Sequence, residues 1–229
     1  MTHKTTETGT ARELILQRLR QAQPAPMSMP DVSALYGQEL HEDHMTRVER
    51  LVLNLTNAMA QVHRTTRAAL PASPKSLADV VRDQQLVSVA LGPELLDDAA
   101  VCAALGTTTH VLPVTTVHGE QAALFNEVAA GVTLSRAAIA ETGTVVLWSG
   151  PQSPRLLSLV PPVHIVIVDA HTVYDTLSEV MHAERWSDGL PTNVILVSSP
   201  SKTADIQQTL AYGAHGPKQL IVMLVEDVR

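Results

Sequence analysis

The chain has 229 residues, of which 45% are hydrophobic and 17% charged, a balance that excludes intrinsic disorder and allows one sizeable core. A formal net charge of -7 and an aromatic content of 3% leave neither the basic patch nor the stacking platform that a nucleic-acid binder needs. No apolar run approaches the ~20 residues that cross a bilayer, and the opening MTHKTTETGTARE lacks a signal peptide's apolar stretch. A soluble, cytoplasmic protein without membrane insertion is the expectation.

In chain order, Thr10 is placed to cap a helix whose apolar positions are Leu14, Ile15 and Leu19, and QAQPAPMSMPD then breaks it with prolines. Residues 1–43 read as an N-terminal helical arm and linker, and residues 44–229 as the main domain. In HMTRVERLVLNLTNAMAQVH, one apolar stripe comprises Met45, Val48, Leu51, Val52, Leu55, Met59 and Val62, which predicts a core-packed helix. From about residue 63, short β runs alternate with helix-length segments. Predicted strands are 86–90, 110–114, 144–148, 164–168, 193–197 and 219–225, and amphipathic stretches at 172–182 and 203–212 predict helices. Continuous apolar runs such as HIVIVD suit a sheet covered on both faces. The fold class is therefore α/β, a mostly parallel sheet flanked by helices.

Cysteine count narrows the chemistry. Cys102 is the single cysteine, which excludes an intrachain disulfide, a CxxC zinc site and a four-cysteine iron–sulfur site; its apolar surroundings predict a buried position. The histidines are scattered, no H-E-x-x-H is present, and no metal site is expected. Neither a dinucleotide-binding glycine fingerprint nor a G-x-S-x-G elbow occurs.

Ligands of such sheets bind beyond the carboxyl ends of strands, and three segments are candidates for lining that region. Glu141-Thr142-Gly143-Thr144 offers a carboxylate, two hydroxyls and a glycine able to take positive φ; it reads either as a turn into a buried strand or as a ligand site. Ser198-Ser199-Pro200-Ser201-Lys202-Thr203 precedes the predicted helix at 203–212, so it reads either as an ordinary N-cap or as an anion pocket at a helix start. His215, in AYGAHGP, sits between turn-forming glycines. It is either structural or a general base facing the 198–205 segment. His164, in PPVH, reads as a satisfied structural histidine, and Arg155 as a surface residue with some capacity to pair with a carboxylate.

Together IAETGTVVL, LVPPVHIVIV and SSPSKTADIQQTLAYGAHGPKQLIVMLV resemble the LUD-domain family, in its lactate utilization protein C group. The order ETGT, PPVH, PSKTADI, GAHGP carries the resemblance, which is dense over residues 131–226. The chain departs from the family pattern at Ser199, where glycine is usual, adding a Cβ to a tight loop. The resemblance implies a fold similar to that of glucosamine-6-phosphate deaminase, ribose-5-phosphate isomerase and CoA transferases. It also implies a part in oxidising L-lactate to pyruvate with lactate-utilization proteins A and B, whose iron–sulfur clusters would carry electrons while this chain holds no cofactor. On that basis Glu141 and His215 are candidate catalytic residues. Thr142, Gly143, Thr144, Ser198, Ser199, Ser201, Lys202 and Thr203 are candidate contacts to a small carboxylate or phosphate. Glu141-Thr142-Gly143 is also similar in spacing to the nucleophilic glutamate segment of CoA transferases. The alternatives are a stand-alone enzyme acting on a phosphorylated, folate or acyl-CoA substrate, and a non-catalytic scaffold.

Overall fold

The computed structural model describes residues 10–22, 42–72, 74, 76–107, 109–115, 121–204, 210–212 and 215–227. The chain divides into two compact units, Met1–Glu39 and Leu40–Arg229. In the first unit α1 (Ala11–Gln21) starts as expected: Thr10 accepts the Glu13 amide, and the Glu13 carboxylate accepts the Thr10 amide at 2.8 Å, closing a capping box.

The second unit begins with α2 (His44–Asn57), capped by Asp43, whose carboxylate accepts the Thr46 amide at 3.0 Å. Its strands are β1 (Gln61–Thr65), β2 (Ser88–Leu91), β3 (His110–Pro113), β4 (Ala130–Leu134), β5 (Ala137–Ile139), β6 (Thr144–Ser149), β7 (Val163–Asp169), β8 (Val173–Tyr174), β9 (Asn193–Val197), β10 (Lys202–Ala204), β11 (Leu210–Tyr212) and β12 (Gln219–Val225). Six of them form a sheet in the order β1-β12-β7-β4-β2-β3, with every pairing parallel. A second sheet, β8-β5-β6-β9, is mostly antiparallel, and β10 pairs with β11 as an antiparallel ladder. The remaining helices are α3 (Leu77–Asp83), α4 (Pro93–Leu96), α5 (Ala99–Leu105), α6 (Gln121–Asn126) and α7 (Leu177–Ala183).

Both faces of the parallel sheet are covered, which explains its uninterrupted apolar strands. Along β7, Ile165 and Ile167 face the layer containing Leu77, Val80, Leu95, Val101 and Leu105. Val166 and Val168 face Val48, Leu51 and Leu55 of α2 together with Ala138, Val145 and Leu147 of the second sheet. Each such side chain, fully buried, contributes about 1.5–3 kcal/mol, so the layers rather than the short helices' own propensity hold the unit together.

Three expectations are corrected. The stripe running from Met45 to Val62 is not one helix: Met59 takes φ 72, the helix has ended at Asn57, and Val62 lies in β1. Met45 and Met59 are exposed, while Val48, Leu51 and Leu55 form the buried stripe. Cys102 is exposed on α5, where its thiol donates to the Leu96 carbonyl, rather than buried. Finally, the segment read as a helix at 203–212 contributes strands instead: Lys202 pairs with Tyr212, Thr203 with Ala211 and Ala204 with Leu210. Residues 205–209 lie outside the described residues.

Candidate functional site

The sequence motifs assemble at the amino ends of the parallel strands, not at the carboxyl ends where they were expected. The Ser201 amide donates to the Pro217 carbonyl at 2.8 Å, two residues before β12, and the Lys218 amide donates to Pro162 at 2.7 Å, just before β7. Gly216 packs beside Ser201; a Cβ added there would lie 3.3 Å from the Ser201 Cβ. The loop bearing exposed His215 is thus held against the 198–201 segment.

Three hydroxyls from the two distant motifs form a chain. Thr142 Oγ1 lies 2.7 Å from Thr144 Oγ1, which lies 2.7 Å from Ser198 Oγ. Register explains the meeting: β6 starts at Thr144 and pairs with β9 through Val145 and Val197, so Ser198 emerges directly across from Thr144. Thr144 is buried, whereas Glu141 and Thr142 are exposed. Ser199 hydrogen-bonds locally to the Pro200 carbonyl at 3.0 Å, and Lys202 is exposed on β10. Thr203 lies on the same strand. Among the described residues 198–204 there is no helix start, since 202–204 is a strand, so no helix dipole or unpaired helix amides face an anion there.

The ETGT turn is fixed from below. Gly143 takes φ +60 and lies so close to α2 that an added Cβ would stand 2.6 Å from Asn54 Cβ and 2.9 Å from backbone. Asn54 Nδ2 donates to the Ala140 carbonyl at 2.9 Å and to that of Glu141 at 3.1 Å. Behind it, fully buried Asp175 pairs with Arg50 and, at 3.2 Å, with Arg47, while its carbonyl accepts the Glu141 amide at 3.0 Å. Arg47, Arg50 and Asn54 recur at i, i+3 and i+7, a polar stripe beside the apolar one on α2 that marks a helix face turned toward polar partners. The sequence reading missed it.

At the opposite end of the sheet lies a cleft of about 760 Å³. Its walls follow strand after strand at the carboxyl ends: Arg67 beyond β1, Glu94 beyond β2, Leu134, Ser135 and Arg136 at the end of β4, Asp169 ending β7, and Val225 and Asp227 at the end of β12. Strand order reverses between β2 and β4, with β3 outside β2 on one side and β7 beyond β4 on the other. Ligands of open α/β sheets bind at such reversals. None of these cleft residues was singled out from sequence. The available signal was position: each stands within three residues of a strand's carboxyl end, and two of the strands, β1 and β4, were not predicted.

The cleft has defined electrostatics. Arg136 pairs with Glu184 and holds its guanidinium 5.3 Å over the Trp148 ring, and Arg67 pairs with Asp98. Glu94 sits beside them, its carboxyl pushed above the usual carboxylate range by desolvation, against hydrogen bonds from Ser153 and the Leu134 backbone that pull it down. Among the lining residues described, four carboxylates (Glu94, Asp169, Glu184 and Asp227) face two guanidiniums, which disfavours a dianion and tolerates a monoanion seated on an arginine. His164, near the start of β7, is buried and hydrogen-bonded through Nε2 to Thr133 Oγ1 at 2.8 Å, but its Nδ1 has no partner, so the histidine expected to be satisfied is satisfied at one ring nitrogen only. Arg155 is exposed in a short 3-10 turn.

An all-parallel six-stranded sheet, a second sheet packed on one face and a cleft at the strand reversal define a two-sheet α/β domain. The chain belongs to the LUD domain family, whose model matches residues 48–225. It is 34% identical over 224 residues to an uncharacterized protein of Neisseria meningitidis serogroup B, covering 94% of this chain and 93% of that one. It is 38% identical to lactate utilization protein C of Halalkalibacterium halodurans over 101 residues, 42% of this chain and 44% of that protein. The corresponding Bacillus licheniformis protein is 37% identical over 101 residues, 42% of each chain. The chain therefore spans less than half the length of those lactate utilization proteins. A DUF162 family protein of Deinococcus radiodurans shares the fold, with TM-score 0.55, 22% identity and coverage of 80% of this chain and 99% of that one. No described helix is long and apolar enough to cross a membrane.

Proposed function

We propose that this chain serves lactate utilization, as a cluster-free component that binds a small organic acid in the carboxyl-end cleft while iron–sulfur partners of the A and B type carry the electrons. The observation that carries the reading is the cleft itself, at the strand reversal and with two arginines on its walls. The similarity to lactate utilization protein C supports the process, and a single cysteine supports the division of labour, since a cluster needs several thiolate ligands. The hydroxyl-rich rim at the amino ends, with Thr142, Thr144 and Ser198, then serves as a structural and docking edge rather than as the acid's seat.

Deleting the gene tests this reading. Growth on L-lactate should fail and growth on a sugar should continue, and pull-down from lactate-grown cells should recover iron-containing partners. Unchanged growth on L-lactate would overturn it. One observation favours a second reading: a cleft of about 760 Å³ is far roomier than a three-carbon acid requires, within the ~300–1,000 Å³ that encloses much larger ligands. A stand-alone enzyme with a folate or acyl-CoA substrate would turn that substrate over as a purified protein without partners.

A further inference from the structure

Resting on the reading that the carboxyl-end cleft takes a small organic acid, we propose that Ser135 selects acids with an oxygen at C2, the 2-hydroxy and 2-oxo acids, while Arg136 receives their carboxylate. Among the described polar side chains on the cleft walls, Ser135 alone is buried, with 8% of its surface exposed. Its Oγ is shut off from solvent and has no hydrogen-bond partner. The neighbouring polar groups are already engaged: Arg136 with Glu184, Arg67 with Asp98, and Asp227 with the Arg67 amide at 2.6 Å. A buried hydroxyl left unpaired costs free energy, and a ligand oxygen that pairs with it removes that cost.

The position of this hydroxyl is fixed by backbone. Ser135 and Arg136 directly follow β4, where the strand order reverses. The Ser135 amide donates to the Ile167 carbonyl of β7 at 2.9 Å, and the Arg136 amide donates to the Val146 carbonyl of β6 at 2.8 Å. This dipeptide is thus pinned to the parallel sheet on one side and to the second sheet on the other. The Arg136 guanidinium lies 5.3 Å over the Trp148 ring and, with five N–H donors, keeps some beyond its pair with Glu184. Arg67 is a poorer seat, because its partner Asp98 is the N-cap of α5, accepting the Ala100 and Val101 amides at 3.0 Å.

The chemistry of the ligand follows from these two neighbours. A carboxyl carbon and C2 are bonded to each other, so an acid seated on Arg136 brings its C2 oxygen to the adjoining residue. Serine has one side-chain torsion, and a rotamer step turns Oγ toward the acid with the backbone unmoved. A hydroxyl both donates and accepts, so it serves a keto oxygen as donor and a 2-hydroxyl as either. Recognition of C2 by a neutral group also suits the walls, where four carboxylates face two guanidiniums and a second anionic group would be repelled. An acid without the C2 oxygen leaves Ser135 unpaired and binds less tightly.

The test compares sodium pyruvate, sodium L-lactate and sodium propionate, which has the same chain length but no C2 oxygen, on the purified full chain and its Ser135→Ala variant. Equilibrium dialysis of the ¹⁴C-labelled acids measures affinity. Tryptophan emission gives a second readout, since both tryptophans of the chain meet edge-on with centroids 6.4 Å apart and Trp148 lines the cleft. Wild type should bind pyruvate or L-lactate about 10-fold more tightly than propionate, and in S135A that ratio should fall to about 1 with propionate affinity unchanged. Without ligand, S135A should melt no lower than wild type, because the lost hydroxyl had no partner in the fold. A lower melting temperature would make Ser135 a structural residue and overturn its role. If wild type binds the acids but does not discriminate, or if S135A discriminates as wild type does, the selection by Ser135 is overturned while the organic-acid reading stands. If wild type binds none of the three acids, the reading of the cleft itself falls.

Discussion

His164 is wholly buried, with Nδ1 lacking a hydrogen-bond partner and Nε2 on Thr133, and burial holds its pKa down at about 4. The folded state thus keeps the imidazole neutral, whereas the unfolded chain protonates it below about 6.5. Its contribution to stability is present above pH 6.5 and is lost as pH falls toward 4, a change of about 3 kcal/mol. Urea unfolding of wild type and His164→Gln at pH 7 and pH 4.5 should show the wild type losing more stability on acidification; parallel losses would refute it. Gly143 gives a second residue-level prediction. Its φ of +60 and the 2.6 Å approach to Asn54 leave no room for a side chain, so Gly143→Ala should cost about 2–4 kcal/mol in thermal or denaturant melts.

Among the elements, α2 is the one that ties the motif edge together, through Arg47, Arg50 and Asn54. Asp175→Asn should cost about 2–3 kcal/mol, less than the ~3–5 of a fully buried pair because Arg47 and Arg50 stay 23% and 20% exposed. It should also loosen the 141–144 turn, read as faster amide exchange at Glu141, whose N–H bonds to Asp175. Sequence alone revealed β9 and β12 to the residue and four further strands within two residues, because six apolar runs are long and bounded by turns. It missed β1 and β4 of the parallel sheet and the short β5 and β8 of the second, the last lying inside the stretch 172–182 that was expected to be helical. β1 is the polar-looking QVHRT at a sheet edge, and β4 is AGVTL, whose Gly131 and alanine carry little strand signal. The stretch at 203–212 has a helical rhythm, but 202–204 and 210–212 pair with each other instead, a tertiary outcome that local propensity does not contain.

At the scale of the molecule, the meeting of Thr142, Thr144 and Ser198 was legible, since both motifs flank predicted strands and register did the rest. Which end of the sheet they occupy was not legible. That depends on β6 and β9 leaving the parallel sheet for a layer of their own, where β6 runs antiparallel to β5. The cleft remained hidden for a related reason: its residues come from five different strand ends, and no two neighbouring motifs announce it.

β6 opens with Thr144 at the hydroxyl rim and carries Trp148 in the cleft wall, four residues on and roughly 13 Å away. A body covering the threonines would therefore leave the cleft at the far end of β6 unobstructed, so the two ends of this one strand are open to solvent or to blockage independently of each other.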